Sequence, residues 1–162
     1  MTNPGRTGLT TYDTRGDREL VITRIVKAPR QLVFDAWTNP KHVPNWLTGP
    51  DGWTMPVCEI DLRPGGAWRY VYRKSGEAEM TLSGHFREVS PPERVVFTET
   101  WGPEWPETLN TMALREAGGL TTVTLSVLYA SAQARDAALK SGMKEGMEAT
   151  FARFDDLLAR MA

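Results

Sequence analysis

Between residues 53 and 129 the chain is cut into six strand-length runs by turn residues, and this punctuation constrains the fold more than any other feature. The runs cover 55–62, 67–73, 79–89, 94–101, 107–116 and 120–129. Between them stand Arg63-Pro64-Gly65-Gly66, Lys74-Ser75-Gly76, Ser90-Pro91-Pro92, Gly102-Pro103 and Gly118-Gly119. Such short connections join antiparallel neighbours, because a parallel crossover needs a dozen or more residues. A meandering antiparallel sheet is therefore predicted. Alternation assigns its faces: Trp68, Tyr70 and Tyr72 lie opposite Arg69, Val71 and Arg73, and Met80, Leu82 and Phe86 share a side with Gly84.

Helical signals flank this region. The β-branched run from Glu19 to Lys27 reads as a first strand, and Ala28-Pro29 opens a short helix carrying Leu32, Val33, Phe34 and Trp37 to about Thr38. Asn39-Pro40 ends it, and a second short helical segment, Lys41 to Leu47, leads into the Gly/Pro-rich loop at 48–52. Ser131 is a natural N-cap for a last helix reaching about Arg160, with Leu139, Met143, Met147, Phe151, Phe154, Leu157, Leu158 and Met161 at helical spacing. Unbroken, that helix would span ~45 Å and cross the sheet. The division predicted is a flexible N-terminal arm, residues 1–17, followed by one domain over residues 18–162.

Composition narrows the function classes. A formal net charge of −1 gives no broad field for nucleic acid. The single cysteine, Cys58, forms no internal disulfide, and no apolar run approaches the ~20 residues of a spanning helix. A cytoplasmic protein without integral membrane association is expected. Six tryptophans and seven methionines supply large, adaptable apolar side chains, which fill a core or line a pocket.

The runs VFDAWTNP, DLRPGG, GHFREVSPPERVVFTETW and GMKEGMEATFARFDDLLARM resemble the family named after the activator of Hsp90 ATPase, in its C-terminal domain. That family belongs to the START-like, or polyketide-cyclase-like, helix-grip superfamily. The resemblance covers roughly residues 18–160. It implies an α+β helix-grip fold: a seven-stranded curved antiparallel sheet, two short helices after the first strand, and a long C-terminal helix closing an internal cavity. Stand-alone members resemble bacterial proteins. The Hsp90 activator makes its principal chaperone contact through a separate N-terminal domain with no counterpart here, so chaperone binding is not carried over.

No metal-ligand, P-loop or dinucleotide-binding pattern occurs, and neither a metal nor another cofactor is implied. Of the two histidines, His42 falls in a surface segment and His85 alternates away from the apolar face, which argues against a nucleophilic triad. Arg63 to Gly66 leads into a strand and reads as a hairpin turn, not a phosphate cradle. Gly142 and Gly146 mark a place where the last helix leaves room for a strand or a ligand. Glu59 and Asp61 are expected in solvent, with Cys58, Ile60 and Leu62 packed inward.

The polar residue that stands out is Glu99, on a strand face with Val95, Phe97 and Trp101. There a carboxyl would be desolvated and its pKa raised, unless the strand is rotated and the group meets water. The favoured reading is a binding domain for a small apolar or aromatic molecule, lined by Trp37, Trp68, Tyr70, Met80, Leu82, Phe97, Trp101, Met112, Met143 and Met147, with Glu99 as the orienting group. The enzyme-class alternative is a cyclase- or hydrolase-like catalyst in which Glu99 moves protons. A third is an interaction module that contacts a chaperone or forms a homodimer through a sheet edge.

Overall fold

The structure is a computed structural model that describes residues 8–48, 52–76, 79–102 and 105–162. Its strands are β1 (Thr10–Arg15), β2 (Glu19–Val26), β3 (Trp53–Ile60), β4 (Ala67–Lys74), β5 (Glu79–Ser90), β6 (Arg94–Glu99), β7 (Thr108–Ala117) and β8 (Leu120–Leu128). Its helices are α1 (Arg30–Thr38), α2 (Ala132–Lys140) and α3 (Met143–Met161). Among the described residues the strands make one antiparallel sheet in the order β1-β2-β8-β7-β6-β5-β4-β3. The curved sheet with a C-terminal helix across one face is the helix-grip class expected.

Three elements differ from expectation. The sheet has eight strands, not seven, because Thr10–Arg15 is a strand and not part of a loose arm. Its β-branched threonines pair in register with β2, Thr10 opposite Arg24 and Tyr12 opposite Ile22, after a turn at Gly16 with φ 61°. The segment from Lys41 to Leu47 tightens to a single 3-10 turn, Val43–Asn45. The last helix is broken: Gly142 sits in the left-handed region at φ 82° and separates α2 from α3. A left-handed residue cannot continue the right-handed ladder, so α3 alone, 19 residues and ~28 Å long, lies on the sheet. Residues 1–7 of the predicted arm, most of the loop at 48–52, and Pro103 of the predicted Gly102-Pro103 turn lie outside the described residues.

The core lies between the sheet and the α1/α3 layer. Phe151, Phe154, Leu157 and Leu158 of α3 are buried, as are Val33, Phe34 and Ala36 of α1 and the sheet residues Leu20, Ile22, Val95, Met112, Leu114 and Val123. Burial of each large side chain contributes ~1.5–3 kcal/mol. Trp46 locks the corner: its ring centroid is 4.4 Å from Phe154 and 4.9 Å from Trp37, and its indole N–H donates to the Ala36 carbonyl at 2.9 Å.

At the β1–β2 edge of the same face, the guanidinium of Arg24 is 5% exposed and reaches Asp155 of α3 at 2.6 Å and the Thr10 hydroxyl at 2.6 Å. The Tyr12 hydroxyl donates to Glu148 at 3.0 Å. These bonds tie β1, β2 and α3 together.

Candidate functional site

Strand pairing shows which side chains share the face beneath the helices. On β6 these are Val95, Phe97 and Glu99; across from them on β7 stand Met112, Asn110 and Thr108. On β4 they are Trp68, Tyr70 and Tyr72, which pair with Gly84, Leu82 and Met80 of β5, while Cys58 of β3 lies opposite Tyr70. Extending the β7–β8 register by one residue sets Tyr129 across from Thr108, whose own partner is Glu99. The Tyr129 amide donates to the Arg18 carbonyl at 2.9 Å, which fixes the backbone there.

Glu99 is therefore on the inner face, not in a rotated strand. Its side chain is only partly exposed, and desolvation by burial raises its pKa from 4.5 to about 7. Tyr70, Tyr72 and Tyr129 are close enough to feel it. Burial first, and then in part the Glu99 charge, raises the pKa of each of these phenols. The Cys58 thiol is pushed up to about 11 by burial and by neighbouring Glu59.

The hydrogen bonding of these groups is the informative part. Neither the Glu99 carboxyl nor the hydroxyls of Tyr70, Tyr72 and Tyr129 bond to any described residue, yet none of them is sealed from solvent. Thr108 and Asn110 bond to each other at 2.9 Å and leave the carboxylate alone. These four polar groups lie on the one inner face among rings, aliphatic chains and methionines, with no side-chain hydrogen bond to a described residue.

The predicted lining residues divide. Trp37, Tyr70, Met80, Phe97, Met143 and Met147 are partly exposed and packed against the core cluster. Trp68, Leu82 and Met112 are 4%, 5% and 0% exposed, members of the core itself. Trp101 is not gathered in with the others: it lies past the end of β6 and is 48% exposed. Tyr72, Tyr129, Thr108 and Asn110 were missed. Alternation with Trp68 and Tyr70 flags Tyr72, and Asn110 interrupts the apolar period of Met112 and Leu114; for Tyr129 no local signal exists, because only the β7–β8 register places it.

The other candidates resolve simply. Glu59 and Asp61 are exposed and pair with Arg69 at 2.9 Å and Arg63 at 2.9 Å. His42 lies 3.2 Å from Asp35, and His85 is exposed on the outer face. Gly66 is buried in a tight turn, where a Cβ would fall 2.1 Å from the Asp61 carbonyl. Nothing packs closely on Gly146, where a Cβ would meet open space, so the close strand contact expected there is absent. Two open clefts lie elsewhere. One, of about 410 Å³, is bounded by Gly8, Lys27, Asp155 and Leu158; the other, of about 320 Å³, by Glu59, Arg69, His85 and Glu107. Neither contains Glu99, and their charged walls are solvated surface groups, so the convergent chemistry lies on the inner face. Among the described residues no group of three or more His, Cys, Asp or Glu is placed to hold a metal, and no helix is long and apolar enough to cross a membrane.

Comparison with known proteins agrees with this architecture. Residues 27–159 match the family model described as activator of Hsp90 ATPase homolog 1-like protein. No curated protein matches. Among solved structures, a protein from Rhodobacter sphaeroides is similar over 95% of this chain and 100% of its own, at 28% identity and TM-score 0.88. A protein from Nitrosomonas europaea matches over 91% and 98%, at 24% identity and TM-score 0.80. CalU16 from Micromonospora echinospora, at 20% identity, matches over 94% of this chain and 87% of its own with TM-score 0.62, a likeness of fold.

Proposed function

This chain belongs to the family of activator of Hsp90 ATPase homolog 1-like proteins, and on that premise we propose that it binds a small, largely apolar or aromatic molecule against the inner face of its sheet, oriented by Glu99. One observation carries the reading: the Glu99 carboxyl and three tyrosine hydroxyls share the apolar inner face without side-chain hydrogen bonds to described residues. Apolar and aromatic walls with a few convergent polar groups are what small-molecule sites present. Tyr70, Phe97 and Met80 supply area, the methionines of α3 adapt to shape, and Glu99 fixes orientation.

The test is native mass spectrometry of the protein purified from its own host, beside the denatured mass of the same sample. A small molecule that is lost on denaturation supports binding. Protein that emerges empty and then fails to take up any of a panel of apolar and aromatic compounds by calorimetry refutes it.

A catalytic reading has one observation in its favour, the Glu99 pKa of about 7, which suits proton transfer near neutrality. Glu99→Gln separates the two readings. In an enzyme it abolishes turnover, and in a binding protein it shifts affinity alone.

A further inference from the structure

We infer that residues 132–150, helix α2 with the first two turns of α3, are a flap over the inner face, latched shut by the β1–β2 hairpin through Arg135 and Tyr12. As a route to the inner face, the flap rests on the binding site proposed above and supplies its entrance.

The segment is held differently from the helix that follows it. From Ala132 to Thr150 no side chain is buried, whereas Phe151, Phe154, Leu157 and Leu158 are sealed in the core. Its apolar contact with the core comes from Leu139, Met143 and Met147, each only partly buried. Two glycines weaken it further. Gly142, at φ 82°, ends the α2 ladder, and Gly146 stands inside α3 with open space where a side chain would be, at a cost in helix propensity that no close packing explains. Lifting this segment exposes less apolar surface than lifting the rest of α3, so it can open at a free energy below that of global unfolding.

Polar bonds hold the flap down, and among the described residues those to the sheet go to one hairpin. The Arg135 side chain is 13% exposed, and its guanidinium donates to the Gly16 carbonyl at 3.0 Å and the Glu19 carbonyl at 3.5 Å, at the β1–β2 turn. The Tyr12 hydroxyl donates to Glu148 at 3.0 Å, with the Lys144 carbonyl at 3.4 Å, and the Lys144 ammonium lies 5.3 Å from the centre of the Tyr12 ring. Glu148 also lies 3.9 Å from Arg24, whose shorter bond goes to Asp155 in the buried half of α3. The hairpin thus grips α2 with one hand and the start of α3 with the other, on either side of Gly142. Tyr12, Gly16 and Glu19 precede residue 27, where the family match begins, and β1 is the strand added to the seven expected.

A bond broken when the flap lifts and a bond broken only when the domain unfolds respond differently to removal. Deleting the first raises the populations of both the lifted and the unfolded states. Deleting the second raises the unfolded state alone.

Hydrogen exchange of the intact protein, read by mass spectrometry at pH 7 with and without low urea, separates the two. Amides of residues 134–150 are expected to exchange roughly 100-fold faster than those of 151–161, at rates that urea leaves unchanged, because a small opening exposes little surface. Tyr12→Phe and Arg135→Ala should each speed exchange across 134–150 by roughly five-fold, the effect of one hydrogen bond of ordinary net strength. Asp155→Asn, on the buried half of α3, should speed 151–161 alone. Exchange of 134–150 at the rate and urea dependence of 151–161 would mean one cooperative helix and no flap. Local exchange that ignores both Tyr12→Phe and Arg135→Ala would mean a flap without this latch. Either outcome overturns the inference. Stopped-flow uptake of 4-tert-butylphenol, followed by tryptophan fluorescence, tests the route: association with the Arg135→Ala variant should be roughly five-fold faster, in proportion to the open population. Unchanged association beside faster exchange removes the flap as the entrance. If the phenol binds neither protein at millimolar concentration, the site proposed above loses its support, and the exchange rates still decide the flap.

Discussion

The indole N–H of Trp68 donates to the main-chain carbonyl of Thr98 at 3.1 Å, reaching from β4 to β6 across Gly84 of β5. No other residue fits at that crossing. A Cβ on Gly84 would lie 1.8 Å from the Thr98 oxygen and 2.8 Å from the indole nitrogen. The contact also orients the wall of the proposed site, since the Trp68 ring lies 4.7 Å from Tyr70 and 5.9 Å from Phe97 by centroid.

Gly84→Ala should therefore destabilise the fold by roughly 3 kcal/mol, at the upper end of what overpacking costs, because the obstructing atoms are backbone. Urea denaturation monitored by tryptophan fluorescence measures this. An alanine variant within 0.5 kcal/mol of the parent would show that β5 and β6 do not approach as described.

Glu99 gives a pH dependence of definite sign. Its pKa is 4.5 in the ordinary state and about 7 in the fold, so between these values the native state holds the extra proton. Stability from this group is then full below about pH 4.5 and falls as pH rises to about 7. Glu99→Gln removes the penalty on the charged form, and the variant should be the more stable one at pH 8, by at most roughly 3 kcal/mol at 1.36 kcal/mol per pKa unit. The advantage should vanish near pH 4.5. Thermal melts of both proteins across that range provide the comparison, and a parent that gains stability on going from pH 5 to 8 relative to the variant contradicts the burial of Glu99.

Asp155→Asn should cost roughly 2 kcal/mol, because it leaves the Arg24 guanidinium, 5% exposed, without its counter-charge. The figure is set below that for a fully buried pair because the Asp155 side chain is itself 37% exposed. Arg15→Ala breaks a pair 3.8 Å apart with a largely exposed arginine and should change stability by less than about 0.5 kcal/mol. Chemical denaturation of the two variants side by side tests whether α3 is held to β1 and β2 through Arg24.

Cys58 should be a slow thiol. With its pKa raised from 9.0 to about 11, the thiolate at neutral pH is roughly 100-fold scarcer than on an unperturbed cysteine. Iodoacetamide should alkylate the native protein at least that much more slowly than the urea-unfolded chain. Equal rates would place the thiol in bulk solvent.

Much of this molecule was legible in the chain. Six predicted strands, 55–62 through 120–129, fall within about two residues of β3 to β8, because short Gly and Pro turns admit little besides hairpins. The inner placement of Glu99 followed from its alternation with Val95 and Phe97. What stayed hidden depended on pairing or on a single torsion. β1 is mostly threonine, tyrosine and charge, and acquires strand character from its partner β2. The helix break needs Gly142 to adopt φ 82°, whereas a glycine inside an apolar period looks merely unfavourable. Trp101 went astray because alternation was carried past the end of β6. Tyr129 comes to stand across from Thr108 through the register of β7 with β8, which no local pattern encodes.

The break at Gly142 makes the C-terminal segment two bodies with different grips on the rest of the molecule. α3 is riveted through Phe151, Phe154, Leu157 and Leu158, whereas α2 has no buried residue and is held by the partly exposed Leu139 against the core, its Ser131 cap and the reach of Arg135 to the Gly16 carbonyl. Swinging α2 outward therefore forfeits less apolar burial than lifting α3 would, which is the condition for a local opening below the free energy of global unfolding. Because the joint adjoins Met143 and Met147, the molecule can breathe at the edge of its inner face while the core beneath α3 stays shut.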